Sequence, residues 1–163
     1  MMDVLWAGWR STYMGEVQAG TDTDACLFCE LPSASDEDAY ILERGETAFS
    51  VLNLYPYTSG HLMITPFRHA GMPGELTSDE QSDVWRLLSR SQAALADVLG
   101  PHGYNLGANL GRAGGAGVLG HFHLHVVPRW SGDANFMTAT ANARILPEPL
   151  IETWQKLRVA LDA

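Results

Sequence analysis

The chain has 163 residues, 46% of them hydrophobic, and a formal net charge of −9 at pH 7. This length suits one domain with a buried core, so we expect a single domain over 1–163, with an N-terminal extension (1–25) and a C-terminal helical segment (137–163). Nonspecific binding to nucleic acid or to an anionic membrane needs clustered Lys and Arg. Lys156 is the only lysine, so we expect neither of these partners.

The chain contains no apolar run near the ~20 residues of a membrane helix. Its first residues lack the basic start, apolar stretch and cleavage site of a secretory signal. We therefore expect a cytoplasmic protein.

Local patterns predict two hairpins and two helices. Strands are predicted at 48–52, 61–65, 104–110 and 122–127, with turn residues or a glycine-rich stretch inside each pair. Thr77 and Glu80 form a capping box, apolar residues follow at helical spacing, and Gly100 ends this helix. A second helix is predicted at 149–161. This order of elements indicates an α+β fold with an antiparallel sheet.

The segment 121–127 carries the strongest functional signal. Strand side chains alternate between two faces, so His121, His123 and His125 are expected on one face and apolar residues on the other. A neutral imidazole is a nucleophile toward phosphorus, and a neighbouring imidazole can donate a proton or a hydrogen bond to a phosphate oxygen. A solvated strand or a histidine-only metal site is the alternative interpretation.

A glycine-rich stretch, 111–120, comes just before these histidines. Glycine lets backbone N–H groups approach phosphate oxygens closely. Such a stretch is more often a plain hairpin loop, but beside three histidines it favours a phosphate-binding loop.

Cys26 and Cys29 are the only cysteines and have the spacing C-x-x-C. Two cysteines do not form a disulfide framework. In a cytosolic protein the pair is either half of a metal site or a redox pair.

Two segments together resemble the histidine-triad (HIT) family. The segment 121–127 matches the signature His-x-His-x-His followed by two apolar residues, and 53–66 is similar to the hairpin of the family. The resemblance covers roughly residues 26–136, with both motifs in the family's order and spacing. It implies an antiparallel sheet with a long helix and a C-terminal helix.

The resemblance also implies roles for four histidines. His123 would be the nucleophile that forms a covalent nucleotidyl-histidine, and the carbonyl of His121 would keep its other nitrogen protonated. His125 would contact the α-phosphate, and His61 would help to orient the triad.

Further nucleotide contacts are implied at both motifs. Asn53 would bind the ribose, Asn109 would approach the phosphates, and Trp130 would flank the site. Gly117 and Val118 stand where many family members have side-chain donors for the leaving group. Their backbone N–H groups would substitute. Without the resemblance, both asparagines read as turn or strand-end amides, and Trp130 fits a core position equally well.

Within the family, 53–57 and 127–136 most resemble the actinobacterial diadenosine tetraphosphate phosphorylases. This implies nucleotidyl transfer from a dinucleoside polyphosphate to phosphate or water. The alternatives are a nucleoside phosphoramidase or general nucleotide hydrolase, a low-turnover zinc-stabilised nucleotide-binding protein, and a HIT-fold enzyme recruited to specialised metabolism.

Some HIT proteins bind zinc through a C-x-x-C pair. The resemblance adds His69 and His121 to Cys26 and Cys29, and two thiolates with two imidazoles suit a structural Zn²⁺ site. A free thiol pair or a redox pair remains the alternative.

HIT proteins are also similar in forming homodimers. The helix at 77–99 and the strand at 104–110 are the candidate interface elements, although their apolar residues could equally serve the core of one monomer.

Overall fold

The computed structural model describes residues 26–133 and 148–163. The expected N-terminal extension (1–25) lies outside the described residues, as do residues 137–147 of the expected C-terminal segment. None of the helices in the described part combines the length and the apolar character needed to cross a lipid bilayer.

Five strands form one antiparallel sheet in the order β1-β2-β3-β5-β4. The elements in chain order are α1 (Leu27–Glu30), a 3-10 turn (Leu31–Ser33), β1 (Ile41–Arg44), β2 (Ala48–Leu52), β3 (Leu62–Pro66), a second 3-10 turn (Pro73–Glu75), α2 (Ser78–Leu99), β4 (Gly103–Gly107), β5 (Leu124–Arg129) and α3 (Leu150–Leu161). The predicted α+β class, with its long and C-terminal helices, is confirmed.

The first strand was not predicted from the sequence. In β1 the neighbouring Ile41 and Leu42 are both fully buried, because both faces of the sheet are covered at this strand. A strand buried on both faces shows no alternation of apolar and polar residues, which was the signal used for the other strands.

The histidine segment departs from the predicted strand. β5 begins only at Leu124, so His121 and His123 precede it and only His125 lies in the ladder. The backbone of Phe122 forms hydrogen bonds outside the ladder. Its N–H donates to the Ala70 carbonyl at 2.6 Å, and its carbonyl accepts from the Thr65 hydroxyl at 2.8 Å. These bonds bend the chain out of the sheet register. The predicted strand at 104–110 likewise ends early, at Gly107.

The strand register divides the sheet into two unlike faces. One face packs against α2 and α3 and forms the main core. Its buried residues include Ala48, Leu52, Leu62, Ile64, Leu87, Leu95, Val126 and Leu157. Each fully buried large apolar side chain contributes about 1.5–3 kcal/mol through removal from water. This face therefore holds the fold together.

The opposite face carries a smaller apolar cluster. Phe49, Val51 and Met63 lie on it, and Phe28 from α1 packs over them. In the β3–β5 pairing His125 is opposite Met63, so His125 also projects to this face. The histidines thus lie on the side of the sheet away from the two long helices.

The predicted boundaries of α2 are confirmed. The Thr77 hydroxyl accepts the Glu80 N–H at 3.2 Å, and the Glu80 carboxylate accepts the Thr77 N–H at 2.8 Å. Gly100 follows the last turn with φ of 54°, a left-handed conformation that suits glycine and ends the helix.

Asp83 ties α2 to the turn between β1 and β2. One carboxylate oxygen accepts the N–H groups of Thr47 and Ala48 at 2.8 and 3.0 Å, and the other pairs with Arg86. Burial acts to raise the pKa of Asp83, but the hydrogen bonds from Thr47, Arg86 and Ala48 outweigh it and leave this pKa below its usual value. The charged carboxylate therefore stabilises the folded state.

Replacing Asp83 should destabilise the fold. Asp83→Ala leaves buried donors without an acceptor, and we expect it to lower the free energy of unfolding by about 1–3 kcal/mol in urea titrations at pH 7. The loss should shrink as pH falls below the unfolded Asp pKa of about 3.9 and through the lowered folded pKa, because the native interaction disappears there. Asp97→Ala, at an exposed position on the same helix, is the control. An equal effect of both variants would contradict this role.

Candidate functional site

Three of the histidines adjoin one another on the face opposite the helices. His61 ends the turn before β3, and its Nε2 lies 3.0 Å from Nδ1 of His125 on the neighbouring strand. The rings of His123 and His125 are 5.0 Å apart between centroids. The antiparallel pairing of β3 with β5 brings these residues together from separate parts of the sequence.

His123 is held in one tautomer. It is only 4% exposed, and its Nδ1 lies 2.9 Å from the carbonyl oxygen of His121. A carbonyl can only accept a hydrogen bond, so Nδ1 carries the proton and Nε2 carries the lone pair. Burial lowers the pKa of His123, although the bond to His121 acts in the opposite direction. At neutral pH His123 therefore offers an unprotonated Nε2, the form of imidazole that attacks phosphorus.

Phe28 supports both buried members of the histidine segment. Its ring centroid lies 5.0 Å from that of His123 and 5.4 Å from that of His121, and the side chain is buried. Sequence reasoning did not single out Phe28, although it stands inside the C-x-x-C motif. Its position there means that α1, together with its N-cap residue Cys26, carries both thiols and the aromatic support of the histidines.

The four residues proposed from the resemblance as metal ligands lie together. Nδ1 of His121 is 3.2 Å from Sγ of Cys26 and 3.5 Å from Sγ of Cys29, and Nδ1 of His69 is 3.4 Å from Sγ of Cys29. All four potential ligand atoms lie within 4.8 Å of one another. Sulfur and nitrogen ligands of one tetrahedral zinc ion are about 3.6 Å apart, from their bond lengths and angles. The cluster fits such an ion.

The remaining nitrogen of His121 is also engaged. Its Nε2 lies 2.9 Å from the carbonyl oxygen of Pro66, which can only accept, so this nitrogen carries the proton and Nδ1 faces the thiols with its lone pair. Burial lowers the pKa of His121. Burial also raises the pKa of the Cys29 thiol, and Cys26 and Glu30 act in the same direction. A bound cation would oppose these effects on the thiol.

Asn53 joins the histidine site through His61. Its Oδ1 accepts the Tyr55 N–H at 2.9 Å, and its Nδ2 lies 3.4 Å from Nδ1 of His61. Tyr57 contacts the same histidine, with ring centroids 4.6 Å apart and planes 22° from parallel. Sequence reasoning placed Asn53 here but treated Tyr57 only as part of a turn.

The glycine-rich loop connects β4 to the histidine segment. Asn109 is half-buried, two residues after Gly107, which is itself paired with His125. Gly117 and Val118 are half-buried in the second half of the loop, and Val118 packs against the cluster that contains Phe28. Both ends of the loop are thus anchored beside histidines.

Arg112, at the turn of this loop, differs from the other basic residues. In the described ranges, every other Lys and Arg side chain has an acidic partner: Arg44, Arg68, Arg86, Arg90, Arg129, Lys156 and Arg158. Arg112 has none among residues 26–133 and 148–163. Within that part of the chain, the loop therefore carries a positive charge that no carboxylate pairs with.

Trp130 lies just beyond the end of β5, five residues after His125. It follows β5, and at about 3.3 Å per residue it lies roughly 17 Å along the strand from His125. Its indole N–H is 3.4 Å from the carbonyl of Leu99, at the end of α2. The expectation that Trp130 flanks the site stays a prediction.

The family model described as HIT domain matches residues 35–132. The chain is 37% identical over 154 residues to the AP-4-A phosphorylase of Mycobacterium tuberculosis, covering 91% of this chain and 79% of that protein. It is 27% identical over 128 residues to adenosine 5'-monophosphoramidase of Schizosaccharomyces pombe, covering 77% and 90% of the two chains. The chain belongs to the HIT family.

Solved structures agree with this assignment. The crystal structure of a Zn-bound histidine triad family protein from Mycobacterium smegmatis is similar with a TM-score of 0.68 and 28% identity, covering 85% of this chain and 94% of that one.

Proposed function

We propose that this protein is a nucleotidyl transferase or hydrolase that acts on a dinucleoside polyphosphate such as diadenosine tetraphosphate. The observation that carries this proposal is the buried His123, whose Nδ1 proton is held by the His121 carbonyl so that Nε2 can attack. The similarity to an AP-4-A phosphorylase supports the choice of substrate.

The reaction proceeds in two displacements at the α-phosphorus. The lone pair on Nε2 of His123 forms a bond to phosphorus, and the bond to the bridging oxygen breaks, with its electron pair leaving on the departing nucleotide. For diadenosine tetraphosphate this step releases ATP and leaves an adenylyl group on His123. An oxygen of inorganic phosphate then attacks the phosphorus, gives ADP and returns the electron pair to Nε2; with water as the acceptor the product is AMP. The covalent intermediate divides one difficult displacement into two easier ones.

The other residues stabilise and orient the phosphates in this proposal. His125 donates a hydrogen bond to an α-phosphate oxygen as negative charge develops there. Asn53 holds the ribose, while Asn109 and the backbone N–H groups of Gly117 and Val118 approach the phosphates. The chain carries a net charge of −9, which repels a polyphosphate at long range, so Arg112 supplies local compensation.

We also propose that Cys26, Cys29, His69 and His121 hold one structural zinc ion. The distances within the cluster support this, as does the Zn-bound relative from Mycobacterium smegmatis. Zinc with four protein ligands contributes to folding rather than to chemistry. Its effect on the reaction would come through His121, whose side chain is a ligand and whose carbonyl positions His123.

We further propose a cytoplasmic homodimer joined at the outer edge of β4. This strand is last in the sheet order of the described residues, so no strand among them pairs with its outer edge, where a second copy could pair. Leu106 in this strand is 46% exposed, although its side chain is apolar. The exposed Trp85 makes α2 the second candidate surface.

The reaction type is tested by product analysis. Incubation with diadenosine tetraphosphate and phosphate should yield ATP and ADP by mass spectrometry, and ATP with AMP when water is the acceptor. Release of AMP from adenosine phosphoramidate, without cleavage of the dinucleotide, would instead support a phosphoramidase. Binding without turnover and without a trapped histidine adduct would support a nucleotide-binding protein.

Removal of the nucleophile should abolish turnover while nucleotide binding survives. We expect His123→Ala to lower the rate by at least ~10³-fold, because it removes the nitrogen that forms the covalent intermediate. His125→Ala should be less severe, since it removes a phosphate contact and leaves the attacking nitrogen. His102→Ala, at an exposed histidine, is the matched control and should be fully active. Near-native activity of His123→Ala would refute the mechanism.

Purified protein should contain about one zinc per chain by elemental mass spectrometry. Cys26→Ala should lose most of this metal and melt at a lower temperature, because zinc binding stabilises the folded state directly. His121→Ala should mainly reduce metal content and stability, whereas His102→Ala should keep both. Parent protein purified without chelator and found free of zinc would exclude the metal site.

The dimer should depend on the β4 edge. Leu106→Asp places a charge at this edge and should shift the protein toward monomer in light scattering at micromolar concentration. Val159→Asp, at an apolar position 73% exposed on α3, should leave the dimer intact. A monomeric parent protein under the same conditions would contradict the assembly.

A further inference from the structure

Tyr57 packs directly against His61 in the turn between β2 and β3. Its backbone N–H donates to Nδ1 of His61 at 3.0 Å, and its ring stacks on the same imidazole. We infer that Tyr57 is a positioning residue that fixes where the ring protons of His61 and His125 lie. The use made of these protons rests on the proposed function, whereas their positions follow from the hydrogen bonds alone.

The first step concerns His61. A backbone N–H can only donate, so Nδ1 of His61 must present its lone pair to Tyr57. The Asn53 side chain agrees with this: its Oδ1 accepts the Tyr55 N–H, which turns its Nδ2 donor toward the same nitrogen of His61. Because Nδ1 accepts, the ring proton of His61 lies on Nε2.

The hydrogen bond between His61 and His125 then sets the tautomer of His125. Nε2 of His61 lies 3.0 Å from Nδ1 of His125 and donates its proton to it. Nδ1 of His125 is therefore an acceptor, and His125 carries its own ring proton on Nε2. The N–H group that His125 offers to a phosphate oxygen is thus set from the turn containing Tyr57.

The outcome is a pair of neighbouring histidines with opposite tautomers. The proton of His123 lies on Nδ1, held by the His121 carbonyl, and that of His125 lies on Nε2. One ring presents a lone pair to phosphorus and the other presents a donor to a phosphate oxygen. These are the two functions that the first displacement needs.

Without the Tyr57 N–H, which is the shorter contact at 3.0 Å, Nδ1 of His61 keeps only the weaker contact of Asn53 Nδ2 at 3.4 Å among these two donors, so the relay can reverse in part of the molecules. His61 could then carry its proton on Nδ1 and accept at Nε2 from His125, whose other nitrogen would face the phosphate with a lone pair. His61 is fully buried, so water cannot readily replace the lost donor. A preorganised donor to a developing oxyanion accounts for about 10²–10³-fold in kcat, so kcat of a mixture scales with the fraction that keeps the parent tautomers. A fraction of about 10–50% lowers kcat about 2–10-fold.

The direct test is nitrogen NMR of the protein labelled with ¹⁵N in its histidine rings, in which protonated and unprotonated ring nitrogens have distinct chemical shifts. In the parent protein we expect His61 and His125 protonated at Nε2 and His123 at Nδ1. A parent protein with His61 protonated at Nδ1 would overturn the inference without any variant.

Variants then separate the N–H of Tyr57 from its side chain. Tyr57→Phe keeps the N–H and the stacked ring, and should retain both tautomers. Replacement of the Tyr57 amide by an ester removes the N–H and keeps the side chain; it should mix the His61 and His125 tautomers and lower kcat about 2–10-fold, with a smaller change in KM. Tyr57→Pro removes the same donor genetically, and Tyr55→Phe in the same turn is the control.

The inference and the proposed function fail separately. Parent tautomers and parent kcat in the ester variant would refute the role of Tyr57 even if His123 forms the adduct. Expected tautomers in a protein that forms no histidine adduct would instead leave Tyr57 as a positioning residue and refute the nucleotidyl-transfer mechanism.

Discussion

The site depends on one peptide unit, the backbone carbonyl of His121. This carbonyl fixes the Nδ1 proton of His123, and so decides which nitrogen of the proposed nucleophile is unprotonated. The side chain of the same residue lies in the cysteine–histidine cluster and donates to the carbonyl of Pro66 at the end of β3. Since a single residue joins the cluster to the nucleophile, anything that displaces the cluster also displaces the acceptor that orients His123.

The sheet makes this arrangement stable because one face forms the main apolar core and the other supports the histidines. The face toward α2 and α3 buries most of the large aliphatic side chains and provides the free energy that holds the sheet in register. The opposite face is covered by a thinner layer, with Phe28 against His121 and His123. Burial in this layer lowers the pKa values of both histidines, which keeps lone pairs available near neutral pH.

The four histidines of the site are therefore chemically distinct, although the side chains are identical. The ring tautomer of each is set by its hydrogen-bond partner. A carbonyl can only accept, as it does from His121 and His123, and a backbone N–H can only donate, as it does to His61. The tautomer of His125 is set in turn by its hydrogen bond with His61. Fixed backbone groups thus give one residue type different ring tautomers, which suit the roles proposed for a nucleophile, a phosphate donor and a metal ligand.

The sequence by itself determined what depends on local hydrogen bonds and spacing: the limits of α2, set by Thr77 and Gly100, the strand β2, and the histidine motif that identifies the family. The C-x-x-C spacing identified Cys26 and Cys29, and the resemblance added His69 and His121, which are too far away in sequence to be found by spacing. Only the tertiary structure decided which ring nitrogen carries each proton, because the deciding contacts join residues as far apart as His61 and His125, 64 positions along the chain. It also placed Phe28 and Tyr57 against the histidines, since such contacts arise from strand pairing and leave no periodic trace in the sequence.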